Sequence, residues 1–590
     1  MESKGSQSST LVADRDHPGH EIFCTPENSQ FHSQNSYAAL DATRREIRLI
    51  ELLPDNGRGL IECTLLDKVA LADVQGEYYA LSYCAGDVNN TGIILVNGVR
   101  CTVFANLRHA LVAVRHFREK RSPGGRFLMW VDQICINQYD LLERSHQVGF
   151  MKDIYQCAQQ TLICLSTCKT RTRGMEWLIQ LCENVPPRDH GVRPKGATHL
   201  ELLHEVSSED EEYDHNHRLT KYIWTRMTSD DFADGWVAFY DVVESPWWSR
   251  AWVFQEFIVS RAPLLLYWRA DLAWRDASSV LAAFWSMHKH VLRNRANFLA
   301  INGYKPGGPE DRRLCRVNDR VKRTNAHAAL DTVEFMATTK ANWKGSLTLK
   351  RLLAHSRYCS ASDERDRIYA FLGLAEPGYG IVPDYSADND IIDVLVKTTK
   401  SIILLENSLD VLLQAAAPVA KKRAMLPSWA VDWANKEPFS IRNNLFGGEA
   451  VTKLFSIKYH EPNVSFRTVK SQYTPRATTA LEVSGVFLAT LTARTPFDLL
   501  NLVSPEERKV YVTFNAGDYI TSCTAQSQPS DQLWIVHGVS LPLILRRAAP
   551  GYVLVSCAPA FSVPRMMRIG DISDELLERG ELKTERILIV

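Results

Sequence analysis

Asp132, Gln133, Asn137 and Gln138 are the residues whose types and placement first suggest chemistry, because they follow directly on the apolar run from Phe127 to Val131. A run of that length is too short for a helix, and one that ends on an acid reads as a strand buried on both faces. In a parallel sheet ligands settle beyond the carboxyl ends of the strands, where these four side chains would stand. Asp132 could equally cap the turn that follows it. A different chemistry is open to Cys135 and His146 as a thiol nucleophile and its base, which requires an exposed thiol of lowered pKa. Cys135 lies between two isoleucines, where a small buried thiol is the simpler reading. His204, His215 and His217 fall in a Pro-, His- and acid-rich stretch and read as a surface linker rather than as metal ligands.

The elements that must position these residues follow from periodicity. Leu141, Val148, Met151, Ile154, Tyr155 and Ala158 recur at helical spacing with charges between them, Glu143 and Arg144 reading as a surface pair. Thr161 to Leu165 is a second apolar run, so the segment is a strand, crossover helix and strand of a parallel sheet. Upstream, EIRLIEL (46–52) alternates as a half-buried strand, YYALSY (78–83) is another strand, and residues 93–103 form a hairpin about Asn97-Gly98. Asn106 is placed to cap a helix from Leu107 to Phe117.

Downstream, the chain predicts a helix around Trp177 to Cys182, then a solvated loop to about residue 232. SPWWSRAWVFQEF (245–257) reads as a helix after a Ser-Pro start, with Trp252 and Glu256 on one face. A strand over 263–268 and a helix over 273–291 follow, then a basic Gly/Pro-rich loop over 303–325. Residues 1–38 are polar and read as disordered. From about residue 440 short alternating segments such as LEVSGVFLATL, QLWIVHG and YVLVSC announce a separate β-rich domain.

Lys+Arg and Asp+Glu both number 68, so the chain carries no net field to hold nucleic acid or an anionic membrane. No apolar run approaches the roughly 18 residues of a membrane-spanning helix, and the N-terminus lacks the apolar core of a signal peptide. The expectation is a soluble, cytoplasmic protein without a metal. Its 13 cysteines contain no CxxC and read as buried thiols.

The string WVDQICINQ (130–138), followed by Glu143-Arg144, Gln147-Val148, Met151 and Ile154-Tyr155, resembles the central motif of the fungal heterokaryon-incompatibility (HET) domain. ALSY (80–83) with Gly86-Asp87, Asn106-Leu107, the W-S-R-x-W-x-x-Q-E of residues 248–256, DERDRIYAFLGL (363–374) and LPSWAVDW (426–433) extend the likeness over residues 46–433. Ala85 departs from it, since the family usually carries Trp there. The resemblance divides the chain into a HET domain over 39–270 with an insertion at about 167–232, a helical extension over 271–433, and the β-rich domain over 440–590.

The order LSYCAGD, MWVD, LICLS, WVFQE is similar, more distantly, to the TIR domain, in which a W-C-x-x-E helix follows such strands. Val253 stands where that motif has Cys. The likeness implies an α/β fold with a TIR/flavodoxin-like parallel sheet and helical insertions. Active TIR domains cleave the bond between nicotinamide and ribose of NAD, with the helix glutamate essential. Carried over, Glu256 is the catalytic carboxylate, Trp252 shapes its wall, and Ser82, Tyr83, Asp87 and Asp132 line the strand-end cleft. NAD is then a substrate rather than a cofactor. Against this, Trp247, Trp248 and Trp252 read more readily as core aromatics than as ligand-stacking ones, and Glu256 equally as the partner of a buried arginine such as Arg250 or Arg144.

Together the resemblances imply a nonself-recognition protein that triggers growth arrest or cell death after unlike hyphae fuse, gated by self-association and answering to a protein partner. The alternatives are a non-catalytic signalling scaffold or a pathway-associated HET protein with no part in incompatibility.

Overall fold

The computed structural model describes residues 26–590 apart from 186–210, 417–422, 436–460, 470–476, 496–510 and 563–582, and positions 36, 58, 122–123, 168–171, 294, 325, 387, 518 and 559–560. The chain forms two compact units, Met1–Lys344 and Gly345–Val590. The expected helical extension over 271–433 is therefore shared between them.

The first unit is built on a sheet of nine strands: Ile50–Leu52 (β1), Glu62–Leu65 (β2), Tyr79–Ser82 (β3), Thr91–Val96 (β4), Val99–Phe104 (β5), Leu128–Trp130 (β6), Gln160–Cys164 (β7), Pro263–Tyr267 (β8) and Ala270–Ala273 (β9). Their order is β9-β8-β7-β3-β6-β1-β2-β4-β5. The middle of the sheet, β8-β7-β3-β6, is parallel, and antiparallel pairings flank it on both sides. Every residue of β8 is buried, as is β7 beyond its first, so their unbroken apolar runs fit a strand covered on both faces. The crossover expected from Phe127 onward is present, with β3 inserted between its two strands.

Several elements differ from the sequence reading, each for a local reason. Residues 26–35 are ordered: Phe31 is buried in a short helix, and Asn28 pairs with the Thr102 backbone at 2.8 and 2.7 Å. The rest of the expected disordered segment, 1–25, lies outside the described residues. Residues 46–52 are not half-buried, because Glu46 meets Lys68 at 3.1 Å and Arg48 meets Glu143 at 2.6 Å, so the polar positions face partners instead of water. The hairpin turns as expected, with Asn97 and Gly98 at φ 52° and 77°, the left-handed pair that matches strand twist.

The helix Ala105–Arg121 (α1) begins one residue before Asn106, which therefore sits in its first turn and not at the cap. There Asn106 packs on Gly86, where an added Cβ would lie 2.5 Å from its amide nitrogen and φ is +92°. The long helix expected after Asp140 is two, Leu141–Gly149 (α2) and Met151–Cys157 (α3), broken at Phe150. Glu143 does not form a surface pair with Arg144, since both of its carboxylate oxygens are taken by the buried Arg48.

Arg173–Asn184 (α4) is followed, past residues 186–210, by Glu211–Arg226 (α5) and Asp230–Val243 (α6) where a loop was expected. Leu219, Ile223 and Trp224 are the buried stripe of α5. The single helix expected from Ser245 is a 3₁₀ turn, Pro246–Ser249, capped by the Ser245 hydroxyl, and then the helix Ala251–Val259 (α7), with Arg250 extended between them. Trp274–Arg293 (α8) matches its expectation. The basic stretch over 303–325 is mostly a helix, Pro309–Arg323 (α9), not a loop. Leu314, Val317 and Val321 are buried, and Arg313, Arg316 and Arg320 pair with Asp230, Asp241 and Glu244 of or beside α6. Ala326–Ala341 (α10) closes the unit.

The second unit contains Leu349–Ser356 (α11), Asp366–Leu372 (α12), Ile391–Glu406 (α13) and Val411–Ala415 (α14), then the expected β-rich region. Thr478–Arg494 (β10) is long enough to pair with several partners. Tyr511–Ala516 (β11) and Tyr519–Thr524 (β12) extend from it, while Gln532–Val536 (β13), Leu543–Ala548 (β14), Gly551–Cys557 (β15) and Thr584–Ile589 (β16) return to it. Because β10 pairs with both β13 and β16, that path closes on itself around buried residues including Val486, Leu533, Ile535 and Ile544. Closure leaves those strands without free edges.

Candidate functional site

The carboxyl ends of β3 and β6 and the segment entering α7 meet in one buried network. The β3 strand ends on Ser82, whose hydroxyl donates to the Glu256 carboxylate of α7 and accepts from the Trp247 indole at 2.8 Å. The 3₁₀ turn that delivers Trp247 is pinned to the edge by Ser245, which donates to the Leu165 carbonyl just past β7. Arg250, extended between the turn and α7, donates to the Tyr83 carbonyl. Tyr155 of α3 donates to the Leu81 carbonyl at 3.0 Å and is also in hydrogen-bond contact with Glu256. Asp132 follows β6 and bonds the Gln133 amide at 2.7 Å and the Tyr83 hydroxyl.

The electrostatics of the network centre on Glu256. Burial pushes its carboxyl up to about 7, while the Arg250 charge and the Ser82 and Tyr155 hydroxyls pull it down and Asp132 pushes it further up. Burial also raises Asp132, again opposed by Arg250. Arg250 is thus a positive charge that acts on both desolvated acids, and their field raises it in turn. A carboxyl held near neutrality can change protonation at working pH, which is what an acid or base group needs.

Of the residues singled out from sequence, Ser82, Tyr83, Asp132 and Glu256 come together. Trp252 is half-buried on α7. Asp87 is exposed and its carboxylate turns back on Asn89, accepting from the backbone at 2.9 Å and from Nδ2 at 3.1 Å. Two members of the network, Trp247 and Tyr155, were absent from the expected site, and Arg250 was expected only as a structural partner of Glu256, on which its charge does act. The i to i+2 spacing of Ser245 and Trp247 after a Ser-Pro start, and the Tyr155 position inside the central motif, were the available signals.

Elsewhere in that motif Gln133 is buried with neither side-chain amide atom hydrogen-bonded among the described residues, while other side chains bind the backbone. Gln138 donates to the Asp132 carbonyl at 3.1 Å, Glu143 accepts from the Asn137 amide at 2.7 Å, and Gln147 donates to the Glu46 carbonyl at 2.9 Å. Cys135 is buried, its thiol pushed up to about 12, so it stays protonated at neutral pH and is no nucleophile. His217 is exposed, the His215 side chain and His204 lie outside the described residues, and among the described residues no group of three or more His, Cys, Asp or Glu is placed to hold a metal. No helix of the described residues is long and apolar enough to cross a membrane.

Lys340 of α10 secures the far end of α7. Its amine donates to the carbonyls of Phe257, Ile258 and Ser260 at 2.8, 3.2 and 2.7 Å, the orphan acceptors of a helix C-terminus.

The first unit is therefore an α/β protein with a mixed sheet whose parallel centre carries a buried Ser-Glu-Arg-Asp network at its carboxyl edge. Residues 78–256 match the family described as Heterokaryon incompatibility protein (HET), and the chain carries a HET domain there. The matched span opens immediately before β3 and closes on Glu256. Over 401 residues the chain is 25% identical to heterokaryon incompatibility protein 6, OR allele, of Neurospora crassa, covering 60% of this chain and 53% of that protein. The chain thus spans about half the length of this curated relative. No solved structure matches.

Proposed function

We propose that the HET domain cleaves the nicotinamide–ribose bond of NAD, and that the protein acts in fungal heterokaryon incompatibility by this means. The observation that carries the reading is the Ser82–Glu256 contact, a tuned carboxyl seated at the end of the first parallel strand. The strand order supports it. Numbered by sequence, the parallel strands β6-β3-β7-β8 run 2-1-3-4, the beginning of the flavodoxin-like order, in which ligands bind where the connections diverge, here at the end of β3. The incompatibility role is supported by the HET match and by the name of the Neurospora relative.

In this mechanism the C1′–N1 bond breaks, nicotinamide leaves with the bonding electrons as a neutral base, and the ribosyl oxocarbenium ion is stabilised by ionised Glu256. Water adds at C1′ and releases its second proton to Glu256 or solvent. The Ser82 hydroxyl holds the carboxylate in place, and Arg250 favours its ionised form. Glu256 is 3% exposed and Ser82 1%, so turnover requires an opening step, and self-association is the gate that the TIR likeness suggests. Expression in a sensitive filamentous host tests the reading. The wild type is expected to arrest growth and deplete cellular NAD, and Glu256→Gln to do neither.

The burial of Glu256 and its full set of partners also favour a second reading, a non-catalytic module in which the network only fixes the edge of the sheet. Growth arrest undiminished in Glu256→Gln, with NAD intact in both, would select that reading.

A further inference from the structure

One side chain beside the strand-end network is not satisfied by the fold. Gln133 follows Asp132 at the carboxyl end of β6, and its backbone N–H donates to the Asp132 carboxylate at 2.7 Å. Gln133 is 1% exposed, and neither the oxygen nor the nitrogen of its side-chain amide has a hydrogen-bond partner among the described residues. The other glutamines of the same motif each use the amide nitrogen, Gln138 on the Asp132 carbonyl at 3.1 Å and Gln147 on the Glu46 carbonyl at 2.9 Å. A buried donor or acceptor left unbonded destabilises the fold, and Gln133 leaves both kinds unbonded. The bonds that the protein does not supply are open to a ligand, and in a parallel sheet ligands settle beyond the strand ends.

The chemistry of the group says what it would take. A primary carboxamide presents an acceptor oxygen and a donor nitrogen in one plane. Its best complement is a second primary carboxamide, which returns a donor to the oxygen and an acceptor to the nitrogen. A carboxylate or a ketone has no donor to return, so either leaves the Gln133 oxygen unmet. The nicotinamide ring of NAD carries such a carboxamide, on the same ring whose nitrogen departs from the ribose. Asp132, whose charge acts on Glu256, is the residue that sets Gln133 beside that chemistry.

We propose that Gln133 is the specificity residue of the strand-end site, pairing through both atoms of its side-chain amide with the carboxamide of the nicotinamide ring. This role rests on the reading that NAD is bound at the strand ends. It also shares the opening step that turnover requires, since Gln133 is as buried as Ser82 and Glu256. Gln133 moves no proton and breaks no bond. It selects the leaving group, and a site built to hydrogen-bond an amide discriminates strongly against analogues that lack one.

Binding of the product ring tests this role separately from cleavage, because nicotinamide is not itself turned over. Nicotinamide, nicotinate and the pyridine methyl ketone that lacks the amide nitrogen are titrated against the full chain by ligand-observed NMR. The wild type should bind nicotinamide about tenfold or more tightly than either analogue, and Gln133→Met should level the three. Where the wild type consumes NAD, the same substitution should raise KM about tenfold with kcat retained, the signature of a binding contact rather than a structural one. A Gln133-dependent preference for nicotinamide without NAD turnover would uphold the role of Gln133 and count against cleavage. No binding of nicotinamide, equal binding of the three rings by the wild type, or NAD turnover with KM unchanged in Gln133→Met would overturn the role of Gln133, whatever the fate of the cleavage reading. If Gln133→Met fails to fold, amide hydrogen exchange of the wild type decides: nicotinamide but not nicotinate should slow exchange over β6 and the segment up to Gln138, and the same exchange with both would overturn the proposal.

Discussion

The two units bury charge in opposite ways. In the first, an acid, Glu256, is enclosed by groups that answer it: a serine hydroxyl, a tyrosine and an arginine charge. In the second, a base, Arg367, is enclosed with its terminal nitrogens unanswered and its nearest acids already engaged by Arg423. A network complete in itself is preorganised and resists change, whereas a buried cation with unanswered nitrogens is held at a cost to stability.

The sharpest way to break this comparison is to remove the countercharge in the first unit. Arg250→Met leaves Glu256 and Asp132 without the cation that acts on both, and urea unfolding is expected to show a loss of about 3 kcal/mol, as for a buried pair deprived of one partner. Arg367→Met should do the reverse and leave stability in chloride unchanged or raised, since it replaces an unpaired buried charge by an apolar chain of similar length. A large loss from Arg367→Met would erase the distinction.

The pH dependence of stability sharpens it further. With its carboxyl at about 7 when folded, against an ordinary value near 4.5, Glu256 binds more proton in the folded state than in the unfolded one between those values. Its contribution is therefore full below about pH 4.5 and is lost as pH rises through about 7. Glu256→Gln removes this term, so the stability of the wild type relative to the variant should fall across that window by up to about 3 kcal/mol. A difference that stays flat would show Glu256 ionised throughout.

The smallest expected loss is at Lys340. Replacing it with Met removes three charged hydrogen bonds from the end of α7 and should cost about 2 kcal/mol, with faster amide exchange in that helix. The α11–α12 region of the second unit should be unaffected.

How far the sequence carried the site can be judged residue by residue. Ser82, Tyr83 and Glu256 were named through the TIR likeness and Asp132 also from the end of an apolar run, and they meet because parallel pairing brings the ends of β3 and β6 side by side. Trp247 was not, because its partner Ser82 lies more than 160 residues away in the chain and only docking of the 3₁₀ turn brings it close, and Arg250 was foreseen beside Glu256 but not on the Tyr83 carbonyl. Asp87 was assigned to the cleft by motif, yet it satisfies itself through the local turn with Asn89 that short acidic side chains favour. The same contrast governs the fold. The Asn97-Gly98 turn was legible from two residues, whereas α9 was hidden because its arginines look solvated until the acids of α6 are placed opposite them. Arg48 likewise read as the polar side of an alternating strand, and only the long-range pair with Glu143 explains its burial.

The most direct test of the central claim is NAD consumption by the purified full chain at high concentration, comparing wild type with Glu256→Gln after both are verified as folded. The account predicts loss of NAD with release of nicotinamide by the wild type alone, at a rate that rises as pH passes about 7 and Glu256 ionises. Consumption that persists in Glu256→Gln, or its absence in both proteins under self-associating conditions, would contradict it.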